Sequence, residues 1–383
     1  MSQNSLFTAF AWAHCACALL LPYSWSTLPG IRPTPPRSGH VSVADRGESG
    51  ELTGKAWLFG GYANNTDTGK LAVVNDLWHF EDGAWKQIET QGPNPGPRLC
   101  SAAAMAPNNR ELLLFGGWDP QTEGTGGIIL DDVWALDLAS RRWSKLEAPM
   151  PGGPTSRHVA VSVPGVGIVA HTHRCGATVL RWDDKRRAFV QQPCTGSPPS
   201  SRGLHCAAAV GSDFIVFGGA AKDGTMAQDS FALDTNTWTW RELAPLEDGA
   251  TQDSCTNDEH SKQASRPSAR AGSAACAVGG MFIVAGGAER AAEGHTAGLV
   301  PRGDVWQLDI AAASKRSNFH NNDGPGSSKA WTLVADENTP NAPAPRNAHT
   351  LTHLGEGRVL CHGGWHPFVH TFRDSALLSV KIT

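Results

Sequence analysis

The chain has 383 residues, with 42 Gly, 25 Pro and 14 Trp but only two Tyr, and 40% of it is apolar. A chain of this length and apolar content can bury a large core, which excludes a protein that is disordered over most of its length. The net charge of -4, from 32 basic and 36 acidic side chains, argues against a nucleic-acid partner. So many Trp residues scattered among Gly and Pro predict a repeated all-β unit.

Residues 1–22 form an N-terminal extension ahead of the first repeat. The apolar run over residues 6–23 has no Lys or Arg before it and is short for a membrane span, so it matches a secretory signal or a transmembrane helix poorly. The nine cysteines include no Cys-x-x-Cys pair, which favours reduced thiols. We therefore predict a cytoplasmic protein that does not enter a membrane, with secretion as the alternative.

Six segments then repeat a common pattern along the chain. Each begins at an Arg that follows Pro within a few residues, and a short apolar run comes next. A second apolar run ends in a Gly pair in five of the segments, a third carries an acid two residues before an aromatic, and a fourth begins with Trp. The arginines are Arg37, Arg98, Arg157, Arg202, Arg270 and Arg346. The Gly pairs begin at Gly60, Gly116, Gly218, Gly286 and Gly363.

This pattern resembles the Kelch repeat, and the resemblance covers nearly the whole chain. It implies an all-β fold, a six-bladed Kelch β-propeller over residues 23–383, in which each repeat forms a four-stranded blade around a central axis. The Gly pairs would let neighbouring backbones approach closely, and the Trp residues of the third and fourth strands would fill the space between twisted blades.

Two repeats depart from the pattern. In the third, the sequence His171-Thr172-His173 stands where the Gly pair belongs. The sixth ends at Thr383 before a fourth strand, but Trp25 begins a matching segment just before the first repeat. We therefore predict that an N-terminal strand completes the last blade and removes its free sheet edge.

The segments around each Arg and the residues after each Gly pair should surround one mouth of the central channel. Candidate partner-binding residues there are the six repeat arginines, together with Tyr62, Trp118, Trp365 and His366 and the neighbouring His40, Arg174, His205 and His349. Guanidinium groups suit carboxylate and phosphate oxygens. The alternative is that an Arg repeated in every blade hydrogen-bonds neighbouring carbonyls and braces the scaffold.

No metal or cofactor is predicted. His171, His173 and Cys175 alternate as metal ligands can on one face of a strand, but they lack a clear fourth ligand. Galactose oxidase also has a Kelch-like propeller, but its copper site needs a crosslinked Tyr-Cys pair and a second Tyr, and this chain offers only Tyr23 and Tyr62. No catalytic residues stand out from the sequence.

The chain also resembles the plant nitrile-specifier proteins, which hold ferrous iron with Glu, Asp and His spaced four residues apart. The segment before the fifth repeat is rich in possible ligands but lacks that spacing. Its candidates are Glu247, Asp248, Asp253, Asp258, Glu259 and His260.

The sequence thus predicts a monomeric, non-enzymatic interaction module that binds a protein or an acidic peptide at the mouth of the propeller. The alternative is a small-molecule enzyme or an iron-dependent specifier-type factor that uses the same mouth.

Overall fold

The fold is a β-propeller, seen in a computed structural model that describes residues 23–28, 34–64, 70–121, 126–245, 265–291, 298–317, 330–367 and 369–381. In chain order the first strands are β1 (Tyr23–Thr27), β2 (Arg37–Ser38), β3 (Val41–Arg46), β4 (Leu52–Asn64), β5 (Leu71–Glu81), β6 (Ala84–Ile88), β7 (Ala102–Met105), β8 (Glu111–Asp119), β9 (Ile128–Asp137), β10 (Arg142–Lys145), β11 (Val159–Val163), β12 (Gly167–His171), β13 (Thr178–Asp183) and β14 (Ala188–Pro193). There follow β15 (Thr195–Gly196), β16 (Cys206–Val210), β17 (Asp213–Phe217), β18 (Ser230–Asp234), β19 (Thr239–Leu243), β20 (Ala274–Val278), β21 (Met281–Ala285), β22 (Ala288–Arg290), β23 (Leu299–Pro301), β24 (Val305–Asp309), helix α1 (Ile310–Ser317), β25 (Trp331–Ala335), β26 (Thr350–Gly355), β27 (Arg358–His362), β28 (Trp365–His366), β29 (His370–Thr371) and β30 (Ser375–Val380).

These strands form six antiparallel blades, as the repeat predicted. From the inside outwards the blades are β3-β4-β5-β6, β7-β8-β9-β10, β11-β12-β13-β14, β16-β17-β18-β19, β20-β21-β24-β25 and β26-β27-β30-β1. The first strand of each blade lies beside the central axis, and small residues dominate there, so the axis encloses a cavity of about 210 Å³. We call the face where the second strands end the mouth face.

The two ends of the chain meet in the sixth blade. Strand β1 pairs antiparallel with β30, in a register that joins Trp25 to Leu378. Trp25 is only 4% exposed, and its side chain belongs to a core shared with the fifth blade. The prediction that an N-terminal strand completes the last blade is confirmed.

Five of the 14 Trp residues lie on the fourth strands of the blades. Each is buried and packs in the space between its own blade and a neighbour; the set is Trp25, Trp85, Trp143, Trp240 and Trp331. Phe189 takes the equivalent position in the third blade, where it lies edge-to-face with Trp182 at 5.4 Å between ring centroids. An indole buries a large apolar area, which suits the wide gap between twisted sheets.

The Gly pairs lie where adjacent blades touch. Gly286 has φ +58°, and a Cβ there would stand 2.6 Å from the carbonyl oxygen of Arg346 in the next blade. The backbone N–H of Gly287 donates to that same oxygen at 2.9 Å. Both positions therefore exclude a side chain, because the backbones of two blades meet there.

The third blade lacks the Gly pair, as its sequence indicated. In its first hairpin Val159 pairs with His171, as Ala102 pairs with Phe115 in the second blade. This register places Thr172 and His173 at the Gly-pair positions. In this register Leu180 takes the position that Trp134 has in the second blade, and Trp182 lies two residues further along the same third strand.

None of the helices in the described part of the chain has the length and apolar content needed to cross a membrane.

Candidate functional site

Five of the six repeat arginines are buried under the mouth face. Arg98, for example, is 1% exposed. Its Nη1 donates to the Gly116 carbonyl at 3.1 Å and to Asp132 Oδ1 at 2.6 Å. Its Nη2 donates to Asp132 Oδ2 at 3.0 Å. The same bonds recur in four other blades, in the pairs Arg37–Asp76, Arg202–Asp229, Arg270–Asp304 and Arg346–Asp374. This is the bracing arrangement that the sequence left as the alternative. We call these five residues the anchor arginines.

The anchor pairs explain the acid-x-aromatic motif of the third strand. Asp132 also accepts a hydrogen bond from the Trp134 indole at 2.7 Å, and Asp304 accepts one from Trp306 at 2.7 Å. Burial acts to raise the pKa of both carboxyl groups, but the hydrogen bonds and charges of their arginines outweigh it and hold each pKa below its usual value. Each of these Asp side chains therefore stays ionised and accepts hydrogen bonds from both an Arg and a Trp.

A closed ring of backbone hydrogen bonds surrounds the axis at the mouth face. Each member has positive φ and donates its N–H to the carbonyl of the equivalent residue in the preceding blade, at 2.8 to 2.9 Å. The members of this axial ring are Gly39, Cys100, Arg157, Leu204, Gly272 and Ala348. The ring couples all six blades directly and sets the bore of the mouth.

Arg157 is a member of the axial ring and is not an anchor. Thr155 occupies the anchor position of the third blade, since its carbonyl accepts the Gly117 N–H at 2.8 Å as the Arg98 carbonyl accepts that of Gly61. The side chain of Arg157 is exposed, and its guanidinium carbon lies 5.9 Å from the Trp118 ring centroid. Within the described residues no carboxylate or carbonyl pairs with this guanidinium, so its donors face solvent.

The sequence contains a signal for this difference. In the other blades a His or Ser follows the anchor Arg by three residues, as His40 follows Arg37 and His205 follows Arg202. His158 instead follows Arg157 directly. Counting back three residues from His158 reaches Thr155, so the position of the histidine indicates the true register.

The residues after the Gly pairs take equivalent places in their own blades on the mouth face. Tyr62, Trp118 and Trp365 pair with Ser38, Leu99 and Asn347, the residues that directly follow an anchor arginine. Tyr62 is 37% exposed, and Trp118 is half-buried against Arg157. His366 stands next to Trp365 in the short hairpin β28–β29 and stacks parallel to His370 at 6.2 Å.

A cavity of about 110 Å³ lies at the axial ring. Besides ring members it is lined by His40, His158, His205, Ser273 and His349. These imidazoles are buried between blades, where burial lowers the pKa of His158 to about 4 and that of His349 to about 3. They are neutral at physiological pH, so the positive charge that reaches solvent at this cavity comes from Arg157.

His171 belongs to a blade junction. Its Nδ1 lies 3.1 Å from Nε2 of His205 in the fourth blade, and Ser201 Oγ donates to the His173 carbonyl at 2.6 Å. These contacts join the third and fourth blades at the position where the other blade junctions have a Gly pair. In the described part of the chain no three His, Cys, Asp or Glu side chains are arranged to hold a metal ion.

The acidic segment that offered possible iron ligands, from Glu247 to His260, lies outside the described residues.

Comparison with known proteins agrees with this architecture. A family model described as the KLHDC2/KLHL20/DRC7 Kelch-repeats domain matches residues 20–170 and 166–381. The solved structure of YjhT covers 91% of this chain and 97% of its own, with a TM-score of 0.62 at 15% identity, which shows a shared fold.

Curated relatives share the repeats within longer proteins. Serine/threonine-protein phosphatase BSL2 of Arabidopsis thaliana is 29% identical over 73% of this chain and 27% of its own length. Kelch domain-containing protein 2 of Bos taurus is 28% identical over 55% of this chain and 56% of its own. Kelch domain-containing protein 10 of Xenopus tropicalis is 26% identical over 73% and 64%. The matched region is thus less than two thirds of each relative, and the match of the family model over most of the chain shows that this protein belongs to the Kelch-repeat domain family.

Proposed function

We propose that the protein is a non-enzymatic interaction module that binds a protein or an acidic peptide at the mouth of its propeller. Membership of the Kelch-repeat family supports an interaction role in general. The observation that carries the specific proposal is the exposure of the Arg157 guanidinium at the axis. The five anchor arginines, by contrast, are buried and form internal ion pairs.

The chemistry of Arg157 suits an anionic group. A guanidinium has five N–H donors in a planar fork and can bind a carboxylate through two parallel hydrogen bonds. Trp118 packs beside it and limits its freedom, which lowers the entropy cost of binding. The rigid scaffold and the mouth of about 110 Å³ offer a preformed site.

Affinity capture with the purified chain tests the proposal. We expect a partner from the source cells to be retained by the wild type and lost with Arg157→Glu, which reverses the charge at the mouth. Arg186→Ala is the matched control, because Arg186 is an exposed arginine in a turn on the opposite face. A partner set unchanged by Arg157→Glu would contradict the proposal, provided that thermal unfolding shows the variant to be folded.

A further inference from the structure

The cavity of about 210 Å³ on the central axis lies on the far side of the axial ring from the mouth. We call this space the channel cavity. The first strands of all six blades line it, and in five of them the lining residues include alanine. Larger side chains at these places would fill the axis, so the channel cavity exists because the inner strands carry small residues.

Arg46 brings a positive charge to the channel cavity. It pairs with Leu52 at the end of the β3–β4 hairpin that lies opposite the mouth face, and both residues line the cavity. The Arg46 Nη1 atom donates to the Gly50 carbonyl at 2.6 Å, and within the described residues no carboxylate pairs with this guanidinium. The neighbouring Asp45 instead has its Oδ2 atom 3.6 Å from His79 Nε2. Arg46 therefore keeps its net charge and has further N–H donors for a ligand.

The wall of the channel cavity does not balance this charge. No Asp or Glu is found among the described residues that line the cavity. Burial lowers the pKa of Arg46, because water solvates the half-buried guanidinium incompletely, but an arginine stays protonated at physiological pH. A partly desolvated cation is stabilised by an anion beside it. The cavity therefore favours an anionic ligand over a neutral or cationic one.

A few polar groups lie among the alanines of the wall. Burial lowers the pKa of His353, and the charge of Arg46 lowers it further, so this imidazole is neutral. Its Nε2 atom is buried and has no hydrogen-bond partner in the described part of the chain. Ser42 accepts a hydrogen bond from Thr352 at 2.8 Å and can donate its own O–H. Apolar walls with a small number of polar groups are typical of cavities that bind small molecules.

The size of the channel cavity limits its ligand to a small molecule. An apolar cavity of about 150 Å³ in another protein binds benzene, so about 210 Å³ gives room for a ring of that size and a carboxylate. The alanine side chains can contact an apolar body but cannot hydrogen-bond it. An inorganic anion such as sulfate would leave these walls uncovered, and its other oxygens would lose their hydration.

We infer that the channel cavity binds a small organic carboxylate with a compact apolar body. The carboxylate pairs with Arg46, whose planar fork matches its two oxygens, and the apolar body lies against the alanines of the inner strands. This inference is independent of the proposed function, because it concerns a different arginine at the opposite end of the axis from the mouth.

Titration with benzoate tests the inference. Binding to the purified wild-type protein is followed by ligand-observed NMR, which detects weak complexes, with benzamide and sulfate as comparison ligands. We expect benzoate to bind, and the other two to bind at least about tenfold more weakly. Benzamide lacks the charge that pairs with Arg46, and sulfate lacks the apolar body that covers the alanine walls.

Two kinds of variant locate the binding site. Arg46→Met should weaken benzoate binding at least about tenfold, because a charge-assisted hydrogen bond is lost, while Arg46→Lys keeps the charge and should lose less. Ala44→Leu places a larger side chain in the cavity and should abolish binding. Arg110→Met is the matched control, since Arg110 is an exposed arginine in the turn after β7 of the neighbouring blade. Arg157→Ala, at the mouth, should also leave benzoate binding unchanged.

Several results would overturn the inference. These are no binding of benzoate, sulfate or benzamide binding as tightly as benzoate, and benzoate binding that survives both Arg46→Met and Ala44→Leu. Loss of benzoate binding with Arg157→Ala would place the ligand at the mouth and would equally overturn it. Each of these results leaves the proposed function standing, because partner capture depends on Arg157 and we expect it to be unchanged by Arg46→Met.

Discussion

At the scale of single residues, arginine takes two different roles at two positions of the repeat. These positions, the anchor position and the axial-ring position, are two residues apart in the chain. Arg98 lies at the anchor position, where it is buried and ion-paired with Asp132. Arg157 lies in the axial ring, where its backbone completes the ring and its side chain reaches solvent. The identity of the residue does not decide between bracing and binding; its place relative to the Gly pair and the following His does.

Arg98→Ala should lower the free energy of unfolding by about 3–5 kcal/mol, because it leaves the buried Asp132 carboxylate without its partner. Arg157→Ala is the control and should change stability by less than about 0.5 kcal/mol, as expected for an exposed side chain without an ion pair. Denaturant unfolding of both variants measures this. Equal losses would show that Arg157 also braces the scaffold.

At the scale of elements, strand β1 has a larger role than its five residues suggest. It covers the outer edge of β30 and buries Tyr23 and Trp25 against the fifth and sixth blades. Without it the last blade would have three strands and an open edge. The N-terminal strand and the last strand together hold the ring closed, since loss of either leaves unpaired backbone groups.

Deletion of residues 1–28 should therefore destabilise the whole propeller by at least the cost of removing a buried Trp, about 3–5 kcal/mol. Thermal unfolding of the truncated chain is the measurement. A truncation of residues 1–20, which retains β1, is the control and should keep the wild-type transition. If both truncations melt together, β1 does not close the ring.

At the scale of the whole molecule, histidines are buried inside the propeller, away from solvent. Six are almost fully buried between strands or blades: His40, His158, His171, His205, His349 and His362. Burial lowers the pKa of His158 to about 4 and those of His171 and His362 to about 3. In the unfolded chain a His has a pKa of about 6.5. Acidification below that value therefore adds protons to the unfolded chain first.

The stability of the protein should fall as the pH drops from about 6.5 towards 4, because the unfolded state binds protons that the folded state cannot accept. Each buried His contributes up to about 1.4 kcal/mol per pH unit in this window. Urea unfolding at a series of pH values measures the slope. His158→Phe should reduce the slope by about one proton, and an unfolding free energy that is constant between pH 6.5 and 5 would contradict this account.

The blade count, the strand order and the closure by Trp25 could be predicted from the sequence, because they follow from motifs that recur in the same order in each repeat. The spacing of the arginines alone did not separate Arg157 from the anchors, since the third repeat has Thr172 and His173 in place of its Gly pair; the position of His158 is the sequence signal that marks the register. The segment around Glu247 and His260 stays a prediction.

Which side chains reach the mouth depends on contacts between residues that are far apart in the chain. The burial of Arg98 depends on Asp132 and the Gly116 carbonyl, which are 34 and 18 residues away in the chain. The axial ring joins residues from six blades, and the sixth blade, which carries Trp365, is a neighbour of the first, which carries Tyr62, because the ring closes. Local periodicity encodes the strands, but accessibility depends on neighbours that only the closed ring brings together.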